Sequence, residues 1–513
     1  MTFLVDVAMF CGAHWFLISV SALILHLVLN RYRYGISGIP GPFLASLSDA
    51  WLLIHYVRRK GTEEYSMHQR FDSQLLRLGP NTISVADSEA LKVIYGWKPV
   101  WKKARLYLSQ YVTTTDGKVL ENMSSTRDED VHSKLRRPVA HAYSLGTLID
   151  YEPLVDSTSI VFMSQMEGRF MKTGQECNLS RWLQMYAFDI IGELTFSKRF
   201  GFLESGEDLG DMMYHTGRAM DYIGIVGQVP TADEYIRLKG FGNILRKFRP
   251  TGPMMKFTAK QIQEHSALEN YSRPDFLTRF LKAREKFPDL MTDGRLATYT
   301  NTNVSAGSDT TAIALREVTW RILTHAESFK KMMAEIKRIL MSRTDVEDYE
   351  KPITWAESKE MTYFQAVIKE CLRLHPALGQ IIPREVPKGG VELCGKFIPE
   401  GTIVGCNAWT VHRDKKLYGA DADEFRPERW LDEDTDKVRN MENLSFAFGG
   451  GPRVCLGRNI AMLEISKFIP EFFRRFEITL VDPKRYKLYP GWLVLQNGLD
   501  VTLRRRDAGS LRV

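Results

Sequence analysis

The stretch Phe448-Gly449-Gly450-Gly451-Pro452-Arg453-Val454-Cys455-Leu456-Gly457 narrows the choice of fold more than any other, because it sets one cysteine in a glycine-rich loop just ahead of an apolar helix. A thiolate that binds a metal needs a loop that keeps it from disulfide partners and turns backbone N–H groups toward it. Three successive glycines permit that approach. Gly457 leads into Arg458-Asn459-Ile460-Ala461-Met462-Leu463-Glu464, a helix start whose positive dipole end favours the thiolate. On this stretch alone the alternative is a buried cysteine acting as a small core hydrophobe. The six cysteines include no C-x-x-C pair, which argues for a reducing compartment and against a disulfide framework.

No Gly/Ser linker, repeat or low-complexity block divides the chain after residue 45, so one large domain is expected despite its 513 residues. The net charge of +7 is carried by scattered Lys and Arg. That pattern argues against nucleic acid and suits an acidic partner or an anionic membrane surface. The run Val7–Leu29 has 23 residues without Lys, Arg, Asp or Glu, and as a helix it would span about 35 Å, enough to cross a bilayer. A cleaved signal peptide is the competing reading, but no cationic region precedes the run and no small-residue cleavage site clearly follows it. Arg31 and Arg33 come after it, so the positive-inside rule places the bulk of the chain in the cytosol. The sequons at Asn122, Asn178, Asn270, Asn303 and Asn443 then meet no glycosylation machinery. Ile39-Pro40-Gly41-Pro42 reads as a stiff elbow. The expected division is an anchor over residues 1–34, a hinge over 35–48 and a catalytic domain over 49–513.

An amphipathic helix is expected near Trp51–Arg70, a strand at Asn81–Val85 and an irregular, functional loop over 97–130. His132-Ser133-Lys134-Leu135-Arg136-Arg137-Pro138 begins a helix with His132 and Arg136 on one face. The region from Leu148 to Lys286 reads as mainly helical, broken at Gly201–Gly210 and by the basic stretch Arg237–Arg249. A long helix over Asp293–Leu323 carries Ala306-Gly307-Ser308-Asp309-Thr310-Thr311. Gly307 costs about 1 kcal/mol against Ala there, so something local is expected to want the gap, and bound O₂ fits. The Thr310 hydroxyl can bond back to the Ala306 carbonyl and open the helical ladder, while Asp309 relays protons. A merely tolerated glycine is the alternative. Glu370-Cys371-Leu372-Arg373 sets acid and base on one helical face, and Arg429 in Phe425-Arg426-Pro427-Glu428-Arg429-Trp430 completes an expected buried charge network. Val391–Ile398 is strand-like, Asn459–Phe473 helical, and the tail from Tyr486 to Leu503 returns as strands whose tip re-enters the pocket.

The pattern F-x-x-G-x-R-x-C-x-G resembles the haem-binding signature of the cytochrome P450 family. The Ala306–Thr311, Glu370–Arg373 and Pro427–Arg429 segments resemble its oxygen-activation, E-x-x-R and P-E-R motifs, and the likeness covers essentially the whole chain. It implies a mainly α fold with a smaller β-rich part after one N-terminal transmembrane helix. It also implies haem b with Cys455 as the metal ligand, whose thiolate favours O–O cleavage. His132, Arg136, Arg384 and Arg453 become the candidate propionate ligands, although many family members carry tryptophan where His132 stands, and the bland reading of His132 and Arg136 is a solvated basic face. Phe448 shields the sulfur, Gly457 belongs to the haem loop, and Asp309 and Thr310 are catalytic. The expected reaction is monooxygenation of a lipophilic small molecule at the endoplasmic reticulum membrane. Electrons would come from NADPH through an NADPH-cytochrome P450 reductase, since the chain has no fused flavin domain and no G-x-G-x-x-G in a strand–turn–helix setting. Val226–Pro253 would touch the membrane. The strings Ser125–Glu129 and Arg136–Ala140 look like the fungal pisatin demethylase-like branch, which points to secondary metabolism. A haem-thiolate isomerase or dehydratase on the same fold and a non-enzymatic haem carrier are the alternatives. The Asp309–Thr310 pair counts against both.

Overall fold

The computed structural model describes residues 2–113, 119–231, 233–234, 252–266, 274–343 and 350–507. The basic stretch at 237–249, most of the expected membrane-touching segment and Asn270 lie outside the described residues. The helices that position the site are α1 (Thr2–Tyr32), α2 (Glu129–Arg136), α3 (Leu145–Met166), α4 (Leu179–Phe196), α5 (Asp293–Thr324), α6 (Thr362–Leu374) and α7 (Arg458–Arg475). α4 is apolar on nearly every side, so it is buried all round, as such a helix must be. It packs along α5, with α3 and α7 beside it.

The closeness of α4 and α5 explains Gly307. A Cβ there would lie 2.9 Å from Ile191, so the gap read as room for O₂ is filled by Ile191, and α5 runs unbroken through the motif.

Strands β1 (Leu75–Gly79), β2 (Thr82–Val85), β3 (Arg384–Glu385) and β6 (Ile403–Gly405) form one sheet in the order β1-β2-β6-β3, with β2 and β6 parallel. Between β3 and β6, the stretch expected as one strand is a hairpin, β4 (Val391–Leu393) and β5 (Lys396–Ile398). Cys394 and Gly395 turn it at φ +50° and +70°, a conformation in which no strand can continue. At the C-terminus β7 (Phe476–Leu480) pairs with β10 (Asp500–Arg505), and β8 (Lys487–Pro490) with β9 (Val494–Asn497). The β8–β9 tip carries Trp492 and Leu493 into a cluster with Leu106, Tyr107 and Ile313 of α5.

Two further boundaries differ from expectation. Trp51–Arg70 is two helices, Ala50–Val57 and Glu64–Arg70, because Gly61 between them lies so close to the Gly379 carbonyl that a Cβ would approach it to 2.4 Å. α2 begins at Glu129 rather than at His132, since the Asp128 side chain accepts from the Val131 N–H at 2.9 Å and caps it.

Candidate active site

The cysteine loop is built from backbone bonds. The Cys455 N–H donates to Phe448 O at 2.8 Å, closing the loop on itself. The N–H groups of Gly457 and Arg458, at the start of α7, point at the sulfur and favour the thiolate, although burial outweighs them and raises the thiol pKa. Yet the Cys455 side chain is accessible. The sulfur is therefore open to a ligand atom.

Ala306 and Thr310 have accessible surface in the middle of α5, between buried turns. Thr310 Oγ1 donates to the Ala306 carbonyl at 2.7 Å, the back-bond read from the sequence. Two contacts tie α5 to α7, the helix that follows the cysteine loop. Thr311 Oγ1 donates to Glu464 Oε2 of α7 at 2.9 Å. Tyr143 donates to Asn303 Oδ1 at 3.1 Å, while its own carbonyl accepts from Asn459 Nδ2 at 3.1 Å. Asp309 turns the other way: it is buried and accepts from Gln184 Nε2 at 2.8 Å, and Gln184 accepts from Arg316 Nη2 at 3.1 Å. Burial raises the Asp309 carboxyl to about 6, partly offset by Gln184 and Arg316.

Five basic side chains converge on the other flank. Segment 102–104 bridges to β3, since Glu385 N donates to Lys102 O at 2.8 Å and Lys103 pairs with Arg384. Lys103 is thereby buried beside Arg384, and burial together with Arg384 and Arg453 pulls its pKa well down. His132 is driven to about 3 by burial and by Arg453, Arg136, Lys103 and Arg384. It is a neutral ring at pH 7. Arg136 Nη1 donates to the Pro452 and Val454 carbonyls at 3.2 and 3.3 Å, bracing the cysteine loop. Arg453 pairs with Glu129 at 2.7 Å. Lys103, Arg136 and Arg384 have no carboxylate ion pair among the described residues. Such a surplus of buried positive charge is costly unless an anion joins it. A group with two carboxylates beside the cysteine loop, as haem has, fits this donor set.

Behind the loop, Glu370 of α6 accepts from Arg373 Nε and Nη2 at 2.8 Å each, and from Arg429 Nε, Trp430 Nε1 and the Arg426 N–H at 2.9 Å each. Burial opposes its charge, but these donors win and lower its pKa. His412 extends the network: Nδ1 donates to the Arg373 carbonyl at 2.8 Å and Nε2 accepts from the Phe446 N–H at 2.8 Å, two residues before Phe448. Sequence reasoning passes over Lys103 and His412, because a lone basic residue acquires such a role only through contacts remote along the chain.

A family model described as Cytochrome P450 matches residues 68–501. A cytochrome P450 monooxygenase of Aspergillus terreus is 36% identical over 477 residues, covering 90% of this chain and 94% of its own length. Cytochrome P450 monooxygenase cicH of Emericella nidulans is 36% identical over 493 residues, 93% and 95% of the two chains. Cytochrome P450 monooxygenase asR2 of Sarocladium schorii is 32% identical over 488 residues, 93% of each.

Proposed function

The chain belongs to the cytochrome P450 family, and on that premise we propose that it inserts one oxygen atom of O₂ into a lipophilic small molecule of fungal secondary metabolism, drawing electrons from an NADPH-dependent reductase. The observation that carries the site assignment is Cys455, enclosed by protein yet accessible, with two backbone N–H groups aimed at its sulfur. Bound haem would supply O₂ activation at an iron made electron-rich by its thiolate ligand.

The chain's own residues then have separate tasks. Cys455 holds the metal, with Phe448 and Gly457 shaping its loop. Arg136, Arg384, Arg453 and Lys103 bind the carboxylates, and His132 acts there as a neutral hydrogen-bonding ring rather than a cation. Thr310, with its hydroxyl bonded to Ala306, orders a proton donor. Asp309 passes protons inward, and Gln184 and Arg316 hold its carboxyl. α1 is an uncleaved anchor in the endoplasmic reticulum membrane, residues 35–48 are the hinge, and the catalytic domain from residue 49 faces the cytosol. Its stretch His14–Tyr32 is long and apolar enough to span a bilayer.

The test is the reduced, CO-bound spectrum. Wild type should give the thiolate-type band, whereas Cys455→Ser should bind haem poorly and give none. A normal band from the variant would falsify the ligand assignment.

A further inference from the structure

Two clefts flank the point where α1 meets the catalytic domain. The first, of about 190 Å³, is lined by Arg31, Arg77, Ser46 and the hinge backbone over 37–42. Arg77 is 2% exposed and spends its donors on carbonyls: Nε on Gly79 at 3.1 Å, Nη1 on Arg31 at 3.0 Å, and Nη2 on Asn30 and Pro80 at 3.1 and 2.6 Å. Burial, together with the charge of a second cation, Arg31, lowers its pKa. Arg31 donates to Ser46 Oγ at 2.9 Å, and its guanidinium lies 5.2 Å from the Phe43 ring and 5.7 Å from the Tyr32 ring. Lys396 Nζ donates to the Gly38 carbonyl in the cleft wall at 3.2 Å. Among the described residues no carboxylate pairs with any of these three cations. Asp49 lines the neighbouring cleft, where Arg33 is its charged partner.

A buried guanidinium beside a second one is expensive without an anion, and the guanidinium fork matches phosphate. The place also selects the ligand. The cleft lies at the end of the apolar helix, where lipid headgroups sit, and the exposed Tyr32, Phe43 and Leu44 border it, as aromatic and apolar side chains do at an interface. We propose that Arg31, backed by the uncompensated charge of the buried Arg77 and steadied by Ser46, whose own hydroxyl donates to the Phe43 carbonyl at 2.7 Å, binds the phosphate of an anionic phospholipid, whose acyl chains run past Phe43 and Leu44 into the bilayer. This rests on the reading of α1 as an anchor. The bound headgroup would clamp the hinge and so fix the tilt of the catalytic domain on the membrane.

The test uses the full-length, haem-loaded chain in phosphatidylcholine vesicles containing a minor fraction of phosphatidic acid. After mild detergent extraction, retained lipid is counted by native mass spectrometry. Wild type should keep one phosphatidic acid per chain, enriched at least about fivefold over the bulk lipid. Arg31→Gln should drop to the bulk ratio while still floating with pure phosphatidylcholine vesicles and keeping its CO-bound spectrum. Equal enrichment in both proteins overturns the site. So does displacement of the lipid by inorganic phosphate at matching concentration, which would mark a soluble ligand. Failure of wild type to float with phosphatidylcholine alone would instead sink the anchor reading, and the lipid site with it.

Discussion

Glu464 carries a proton at neutral pH, because burial pushes its carboxyl up to about 8 against a single hydrogen bond from Thr311. Its other oxygen has no partner. A folded-state pKa above the unfolded value means that the native chain binds the extra proton between roughly pH 4.5 and 8. This contribution is fully present below that window and is lost as pH rises through it, by at most about 1.4 kcal/mol per pH unit. Glu64 and Asp189 are also raised, to about 7 and about 6, so the informative quantity is a difference between proteins. Unfolding of Glu464→Gln and wild type at pH 5.5 and 7.5 should show the variant losing less stability with rising pH; parallel losses would mean that Glu464 is ionised when folded. Thr310 supports a second expectation. Thr310→Ala should keep haem and substrate binding but lose a proton donor worth roughly 10²–10⁴-fold, so that electrons drawn from NADPH reduce O₂ to hydrogen peroxide instead of forming product. Unchanged product per NADPH would remove Thr310 from proton delivery. Cys455 and Thr310 are legible in sequence because the groups that shape them are neighbours in the chain. Lys103 is not, since its place beside Arg384 depends on a β-bridge between distant segments.

At the scale of elements, the fold behind the cysteine loop depends on one helix, α6, whose Glu370 accepts five hydrogen bonds in full burial. The line from Arg373 through His412 to Phe446 carries that rigidity to the loop itself. Arg373→Ala would strand Glu370 and undo this link at a cost of roughly 3–5 kcal/mol, a large part of a usual stability margin. We expect little haem-loaded protein from this variant although Arg373 makes no hydrogen bond to Lys103, His132, Arg136, Arg384 or Arg453; wild-type yield and haem content would contradict the network's structural role. The Glu370–Arg373 spacing announces the ion pair, and Pro376 announces where α6 stops. What spacing cannot announce is which face of a helix a residue occupies once neighbours pack. Gly307 stands out in the sequence as an anomaly, but its cause is Ile191 on α4, visible only when the two helices are laid together. The Cys394–Gly395 turn, by contrast, carries a signal in the sequence, since a glycine inside a strand-like run marks a bulge or tight turn.

For the whole molecule, the division into anchor, hinge and catalytic domain meets its hardest test at residues 29–34. α1 ends as an apolar rod but its last turn belongs to the globule: the carbonyls of Asn30 and Arg31 accept from the buried Arg77, and Asn30 Nδ2 donates to the Leu47 carbonyl at 2.8 Å. Cutting the chain after residue 34 therefore removes more than an anchor. It strips Arg77 of two acceptors, and each lost bond to a charged donor costs about 1.5–3 kcal/mol where water cannot replace it. A cut after residue 28 removes the apolar run but leaves those acceptors. Both shortened proteins should come off membranes in high salt, whereas the full chain should need detergent. The exposed Phe43, Leu44, Ile54 and Val57 leave each of them only a weak, reversible affinity for vesicles. Their stabilities should part: the longer deletion should melt several degrees below the shorter one, since about 1 kcal/mol moves the midpoint by roughly 2–4 °C in a large domain. Thermal unfolding followed by loss of the CO-bound band compares them directly. Equal midpoints would mean that water replaces the lost carbonyls and that the globule begins beyond residue 34.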